Sequence, residues 1–248
     1  MTETAADVKT ALAAFSHPDK VGMFERFFKT GPGEYGEGDV FLGLTVPETR
    51  SVSVQFKHLP LHEIDELLAS PIHEHRSCGL FIMVNRFKKT KTAGEQQEMF
   101  DHYLRLVHEG RVNNWDLVDA SAPYFGMFLI GRPDSMQLLA RLARSEQLWE
   151  RRVAMLLTFA FIRADKIGFD AYDLGPTIHI SELLLGDSHD LMHKAVGWML
   201  REAGKRDVEV LREFLGRHAA TMPRTALRYS IEKLDAEERK FWLEAKNR

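Results

Sequence analysis

Arg151-Arg152-Val153-Ala154-Met155 resembles two other stretches, His75-Arg76-Ser77-Cys78-Gly79 and His193-Lys194-Ala195-Val196-Gly197. Each sets two basic-type residues ahead of small and apolar ones. Arg76 and Arg152 lie 76 residues apart, about twice 38, and Arg152 and Lys194 lie 42 apart. Arg224 continues the series loosely, some 30 residues further on. Helix pairs of the HEAT kind repeat at roughly 40 residues, so the spacing predicts an all-α, HEAT-like α-solenoid formed as a single domain over residues 1–248. Stacked pairs of this kind curve around a concave inner face. A basic position recurring along that face suits the backbone of a duplex. The plainer reading of the same residues is a solvated face with local ion pairs.

Outward from these stretches, nearly every segment shows the three- and four-residue apolar spacing of an amphipathic helix. Helices are expected over Ala5–Phe15, Lys20–Lys29, Ile72–Phe87, Glu95–Val112, Gln147–Arg163, Glu182–Leu185, His189–Ala203, Val208–Arg217, Arg224–Leu234 and Ala236–Lys246. Shorter helices are expected up to Arg144. Thr45-Val46-Pro47-Glu48 reads as a capping box with an early proline, and Ser70-Pro71 as a second helix start. No stretch alternates as a strand would. Gly31-Pro32-Gly33-Glu34-Tyr35-Gly36 matches G-x-G-x-x-G, but no strand precedes it, no helix opens on it and acidic residues crowd it. A connector is expected there.

A central helix is expected from Asn114 towards Ile130, closed by Gly131-Arg132-Pro133-Asp134. It puts Trp115 and Asp119 four residues apart, on one face and about a turn from each other. An indole face and a carboxylate both attract positive charge, so together they would stabilise a cation if that face opens on a groove. Lys194 and Trp198 form a second charge-plus-indole pair at the same spacing, and Gly197 between them allows close approach of another backbone. A lone helical tryptophan usually belongs to a core; two of them, each paired with a charge, weaken that reading. His189 and His193 are also four apart, but no third ligand is evident, so a helix-start contact is favoured over zinc. His73-Glu74-His75 reads as surface. No metal and no cofactor are expected.

Of the 248 residues, 44% are hydrophobic and 28% charged, ordinary for a soluble globular chain. Cys78 is the single cysteine, which rules out an intrachain disulfide and points to a reducing compartment. Met1-Thr2-Glu3-Thr4 begins no leader-like pattern, and no apolar run approaches the ~20 residues of a membrane span. A cytoplasmic monomer is expected, in a bacterial cytoplasm or nucleoid, away from membranes. A net charge of −3 does not advertise a nucleic-acid partner. Local charge on one face can still provide for one.

Four separated motifs carry a resemblance. They are Asn113-Asn114-Trp115-Asp116-Leu117-Val118-Asp119, Leu148-Trp149-Glu150-Arg151-Arg152-Val153-Ala154, Lys194-Ala195-Val196-Gly197-Trp198-Met199-Leu200-Arg201-Glu202 and Met222-Pro223-Arg224-Thr225. Together with Tyr35–Gly43 and Val46–Arg50, they resemble the DNA alkylation repair protein family of AlkD-type glycosylases, from about residue 20 to the end. The resemblance implies a monofunctional DNA glycosylase of base excision repair. Its substrate would be duplex DNA containing alkylated bases, from which it releases 3-methyladenine- and 7-methylguanine-type lesions without flipping them into a pocket. It implies that Asp119 is catalytic, that Trp115 and Trp198 are the cleft tryptophans, and that Arg152 binds DNA, with Lys194, Arg76 and Arg224 continuing the basic series. Asn114 stands where some members carry another aromatic residue. The rival expectation is a non-catalytic HEAT-like module that binds branched or distorted DNA, or a protein scaffold.

Overall fold

The computed structural model describes residues 3–245. Met1 and Thr2 of the stretch read for a leader, and Lys246 at the expected end of the last helix, lie outside them. The described chain is helical, with a single isolated bridge between Val40 and Ile72 in place of any strand. It divides into two compact units, Met1–Ser121 and Ala122–Arg248.

The first unit contains α1 (Ala5–Ala13), α2 (Pro18–Phe28), α3 (Val46–Gln55), α4 (Leu61–Leu68), α5 (His73–Phe87), α6 (Ala93–His108) and most of α7 (Trp115–Phe125). The capping box holds: the Thr45 amide and hydroxyl both donate to the Glu48 carboxylate at 2.7 Å. These bonds, with one from His17, pull the Glu48 carboxyl down to about 2. Helix α5 is the core of this unit, packed by α1, α3, α4 and α6. Its first turns carry His73, Glu74, His75 and Arg76, all of them buried. The expectation of a surface His-Glu-His is therefore corrected. Burial of these polar groups requires partners, and the loop from α2 to α3 supplies those of Glu74, while the connection before α5 supplies one for His75. Glu74 accepts the backbone amides of Leu42, Gly43 and Leu44 at 2.8–3.1 Å. His75 Nδ1 meets the Ser70 hydroxyl at 2.9 Å.

The glycine-rich segment is a connector, as expected. Glu34 accepts the Gly31 amide and Glu37 the Gly33 amide, so the chain's own carboxylates occupy donors that a phosphate loop would offer. Helix α4, which has a strongly apolar face through Ile64, Leu67 and Leu68, was not anticipated.

The second unit contains the end of α7, a 3₁₀ turn (Gly126–Leu129), α8 (Ser135–Ala143), α9 (Leu148–Leu157), α10 (Phe159–Ile162), a second 3₁₀ turn (Ala164–Lys166), α11 (Gly175–Leu184), α12 (Asp190–Gly204), α13 (Val208–His218), α14 (Arg224–Ser230) and α15 (Ala236–Leu243). The long central helix expected towards Ile130 stops at Phe125, shortly after Pro123, where an amide is missing. Gly126 then backs onto the Leu157 carbonyl, leaving no room for a side chain. Helix α12 is the hub of this unit, packed by α9, α11, α13 and α14. The close approach anticipated at Gly197 is present: a Cβ there would lie 2.5 Å from both the Ala226 carbonyl oxygen and the Tyr229 Cβ.

Candidate functional site

Helix α7 starts on Asn114, whose side-chain oxygen accepts the Trp115 amide at 2.8 Å and whose carbonyl accepts the Val118 amide. The carbonyl bond puts Asn114 at the N-cap position of α7, and the residue is fully buried. The cap sets Trp115, Asp116 and Asp119 along one flank of α7. There, together with Phe24, Phe27 and Phe28 of α2, Arg50 of α3, and Ser77 and Phe81 of α5, they line a groove of about 380 Å³. Trp115 and Asp119 thus open on the same groove within the first unit. Trp115 stacks on Phe28, with centroids 5.6 Å apart, and meets Phe27 edge-on at 5.7 Å. Phe27 is 61% exposed, a large ring left in solvent at the mouth of an aromatic wall. The Arg50 guanidinium lies 4.0 Å over the Phe81 ring.

Beneath the aromatic wall lies a buried polar cluster. His73 bonds Asp116 through Nε2 at 2.8 Å and Asp39 through Nδ1 at 3.3 Å. Arg76 pairs with Asp39 at 2.6 Å and donates to the Asn113 side chain at 2.5 Å. Asn114 donates to Asp39 at 3.1 Å. Burial disfavours a charged His73, but the charge and hydrogen bond of Asp116, with the bond from Asp39, outweigh it and raise the ring to about 9. Burial also pushes Asp39 up, yet the His73 bond and the charges of Arg76 and His73 hold it below the usual carboxylate range. The cluster is therefore two cations against two carboxylates, fastening the loop, α5 and the start of α7 at one point. Deeper in the unit, the Tyr103 hydroxyl of α6 meets Ser121 Oγ of α7 at 2.9 Å, and Ser121 donates in turn to the Leu117 carbonyl. The flank bearing Asp119 is held from both ends.

Arg76 belongs to this cluster. It is 4% exposed and faces Asp39 and Asn113, so it is no member of a solvent-facing basic row. Sequence reading missed His73, Asp39, Asp116 and the α2 rings. The one local signal was the spacing of Phe24, Phe27 and Phe28, an i, i+3, i+4 stripe too apolar for a surface helix. The partners of His73 are 34 and 43 residues away and leave no local trace.

In the second unit, Arg152 is also 4% exposed, and its Nη1 donates 2.7 Å to the Leu191 carbonyl at the start of α12. Arg224 donates to the Leu243 carbonyl at 2.8 Å. Lys194 pairs with Asp190 one turn earlier at 2.7 Å and keeps 41% of its side chain exposed. Trp198 rests against Phe159, with centroids 6.0 Å apart. His189 caps α12, its Nδ1 accepting the Leu191 amide, and His193 Nε2 bonds the Asp187 carbonyl oxygen. These are the helix-start contacts favoured over zinc. Among the described residues, no group of three or more His, Cys, Asp or Glu is placed to hold a metal ion, and no helix is long and apolar enough to cross a membrane.

A comparison with curated proteins gives no match. Among solved structures, a predicted DNA alkylation repair enzyme from Enterococcus faecalis shares the fold at a TM-score of 0.69 and 18% identity, over 89% of this chain and 97% of that one. The family model of the DNA alkylation repair enzymes matches residues 8–234, beginning ahead of the four motifs and running through all of them. The chain belongs to the DNA alkylation repair enzyme family.

Proposed function

We propose that the protein is a monofunctional DNA glycosylase that releases cationic alkylated purines from duplex DNA. The observation that carries this reading is the pairing of Trp115 and Asp119 on one groove of the first unit, the carboxylate one helical turn from an indole braced by Phe27 and Phe28. Alkylation at N3 or N7 gives the purine a positive charge, so the base leaves as a neutral molecule carrying the electron pair of the glycosidic bond. The sugar is left with an oxocarbenium-like charge at C1′. A carboxylate and aromatic faces fixed before the reaction stabilise that charge without reorganising. Water then adds to C1′ and gives up a proton to Asp119 or to solvent, leaving an abasic site. No amine nucleophile is required, hence no strand cleavage. Attack on the lesion without flipping is proposed from the motif resemblance alone.

The roles proposed for the second unit rest on motif position. Trp198 is proposed as the second indole of the reaction and Lys194 as a DNA contact. Arg152 is proposed to act indirectly, by fixing the start of the helix that carries both. A single domain over residues 1–248, working as a monomer, completes the reading.

Base release from methylated duplex DNA tests it, with Asp119→Asn measured beside the parent. The parent is expected to liberate 3-methyladenine or 7-methylguanine. The variant is expected to bind duplex similarly while losing about 10²–10³-fold in rate, the cost of removing one fixed electrostatic stabiliser. Equal release by parent and variant would remove Asp119 from the chemistry. Duplex binding without release by the parent would make the protein a shape-reading module, and no DNA affinity would make it a scaffold.

A further inference from the structure

The faces of α3 and α5 that line the aromatic groove do not end there. On α5, Ser77 and Phe81 line the groove, while Asn85, the next position of the same i, i+4 row, and Lys89, two residues past the helix end, line a second cavity. On α3, Arg50 lines the groove, and Lys57, seven residues on and just past the helix end, lines the second cavity. This cavity is a cleft of about 550 Å³ whose basic walls are Lys57, Arg86, Lys89 and Lys91, with His58 at the edge. Its one carboxylate, Glu95, accepts the Thr92 hydroxyl at 2.6 Å. Arg86 gives one donor to the Leu59 carbonyl. Among the described residues, Lys57, Lys89 and Lys91 form no ion pair, although Lys29, Lys194 and Lys205 do.

Basic side chains just past a helix C-terminus offset its dipole, which accounts for Lys57 and Lys89 one at a time. It does not account for their convergence with Arg86 and Lys91 on one cavity, in a chain whose net charge is −3. A concentration of unpaired ammonium groups in a concave site raises the local potential and favours a polyanion. From Phe81 to the helix end at Phe87 the rise is about 9 Å, at ~1.5 Å per residue, and Lys89 lies two residues beyond that end. A DNA strand advances about 3.4 Å per nucleotide.

We infer that this cleft is a second DNA contact, holding backbone phosphates about three or four nucleotides from the one at Trp115 and Asp119, at ~3.4 Å per nucleotide. The inference rests on the reading of the chain as a DNA glycosylase. Phosphate contacts of this kind set register and carry no base preference. The cleft would position the duplex along the groove whatever the lesion.

The test is anisotropy of a labelled undamaged duplex, titrated with the full chain across a salt series, with base release followed in the same preparations. The triple variant Lys57→Gln, Lys89→Gln, Lys91→Gln removes three charges from exposed side chains and keeps their stems. Its slope of log affinity against log salt is expected to be shallower by about 0.9 per lost contact, so by up to about 3, with weaker binding at the low-salt end. The matching Lys→Arg triple is expected to keep the parent's slope. Equal affinity and slope in parent and glutamine triple would overturn the inference, as would an arginine triple that loses as much as the glutamine one. Inorganic phosphate that saturates the parent without displacing duplex would make the cleft a small-anion site and would also overturn it. The two readings fail separately. Base release with an unchanged slope sinks the cleft alone; a changed slope without base release sinks the glycosylase alone and leaves the cleft standing.

Discussion

His73 titrates against the trend of buried histidines. Desolvation alone would leave the ring neutral, yet Asp116 and Asp39 keep it charged to about 9. A histidine whose folded pKa lies above its unfolded value of about 6.5 contributes stability that is fully present below the unfolded value. That contribution is lost as pH rises through the folded one. The gap in melting temperature between the parent and His73→Gln should therefore be wide at pH 6 and narrow by pH 9.5, other titrations being common to both. A gap that stays constant over that window would mean that the folded ring carries no charge. Removing one member of such a cluster strands its partner. Asp39→Asn, which leaves Arg76 and His73 short of a countercharge, is expected to cost about 3–5 kcal/mol in denaturant unfolding. None of this was legible in the sequence. Trp115 and Asp119 could be paired because helical spacing is local, whereas the union of Asp39, His73 and Asp116 is made by tertiary packing. The burial of Arg76 was illegible for the same reason: a repeated basic position says nothing about which face packing will claim.

At the scale of elements, spacing and caps did most of the work. The Thr45 capping box, the starts of α12 and α13 and the ends of α2 and α5 fall within a residue or two of their expected places. The errors have physical causes. Helix α4 is only eight residues long and follows Pro60, so its pattern barely completes two turns. The stretch Gln147–Arg163 is split at Thr158, whose hydroxyl donates to the Met155 carbonyl at 2.7 Å and competes with the helix. Gly197 was readable as a point of close approach, though not which backbone would approach. Now that α14 is seen there, Gly197→Ala has a definite expectation. Its Cβ would fall 2.5 Å from the Ala226 oxygen, and overpacking of this kind costs about 1–3 kcal/mol. The midpoint of thermal unfolding should drop by several degrees, and an unchanged midpoint would mean that α12 and α14 part without strain.

On the scale of the whole molecule, the border between the two units runs through a helix. Unit 1 closes at Ser121, while α7 continues to Phe125. A cut at that border would strip a helical turn from the element that carries Trp115 and Asp119, so scanning calorimetry of the intact chain is expected to show one transition, with calorimetric and van't Hoff enthalpies equal. Two separated transitions would argue against the single domain proposed above. Glu74 also bears on how this molecule comes to exist. It is the carboxylate that closes on Leu42, Gly43 and Leu44, and it lies 30–32 residues downstream of them. At a synthesis rate of about 5–20 residues per second, the three amides emerge roughly 2–6 s before their acceptor has been made. Until then these three amides have only water to satisfy them, and Phe41, whose ring stacks on Phe28 with centroids 5.1 Å apart, is not held in place behind the aromatic wall. The order of translation thus makes α5 the latch of everything that precedes it.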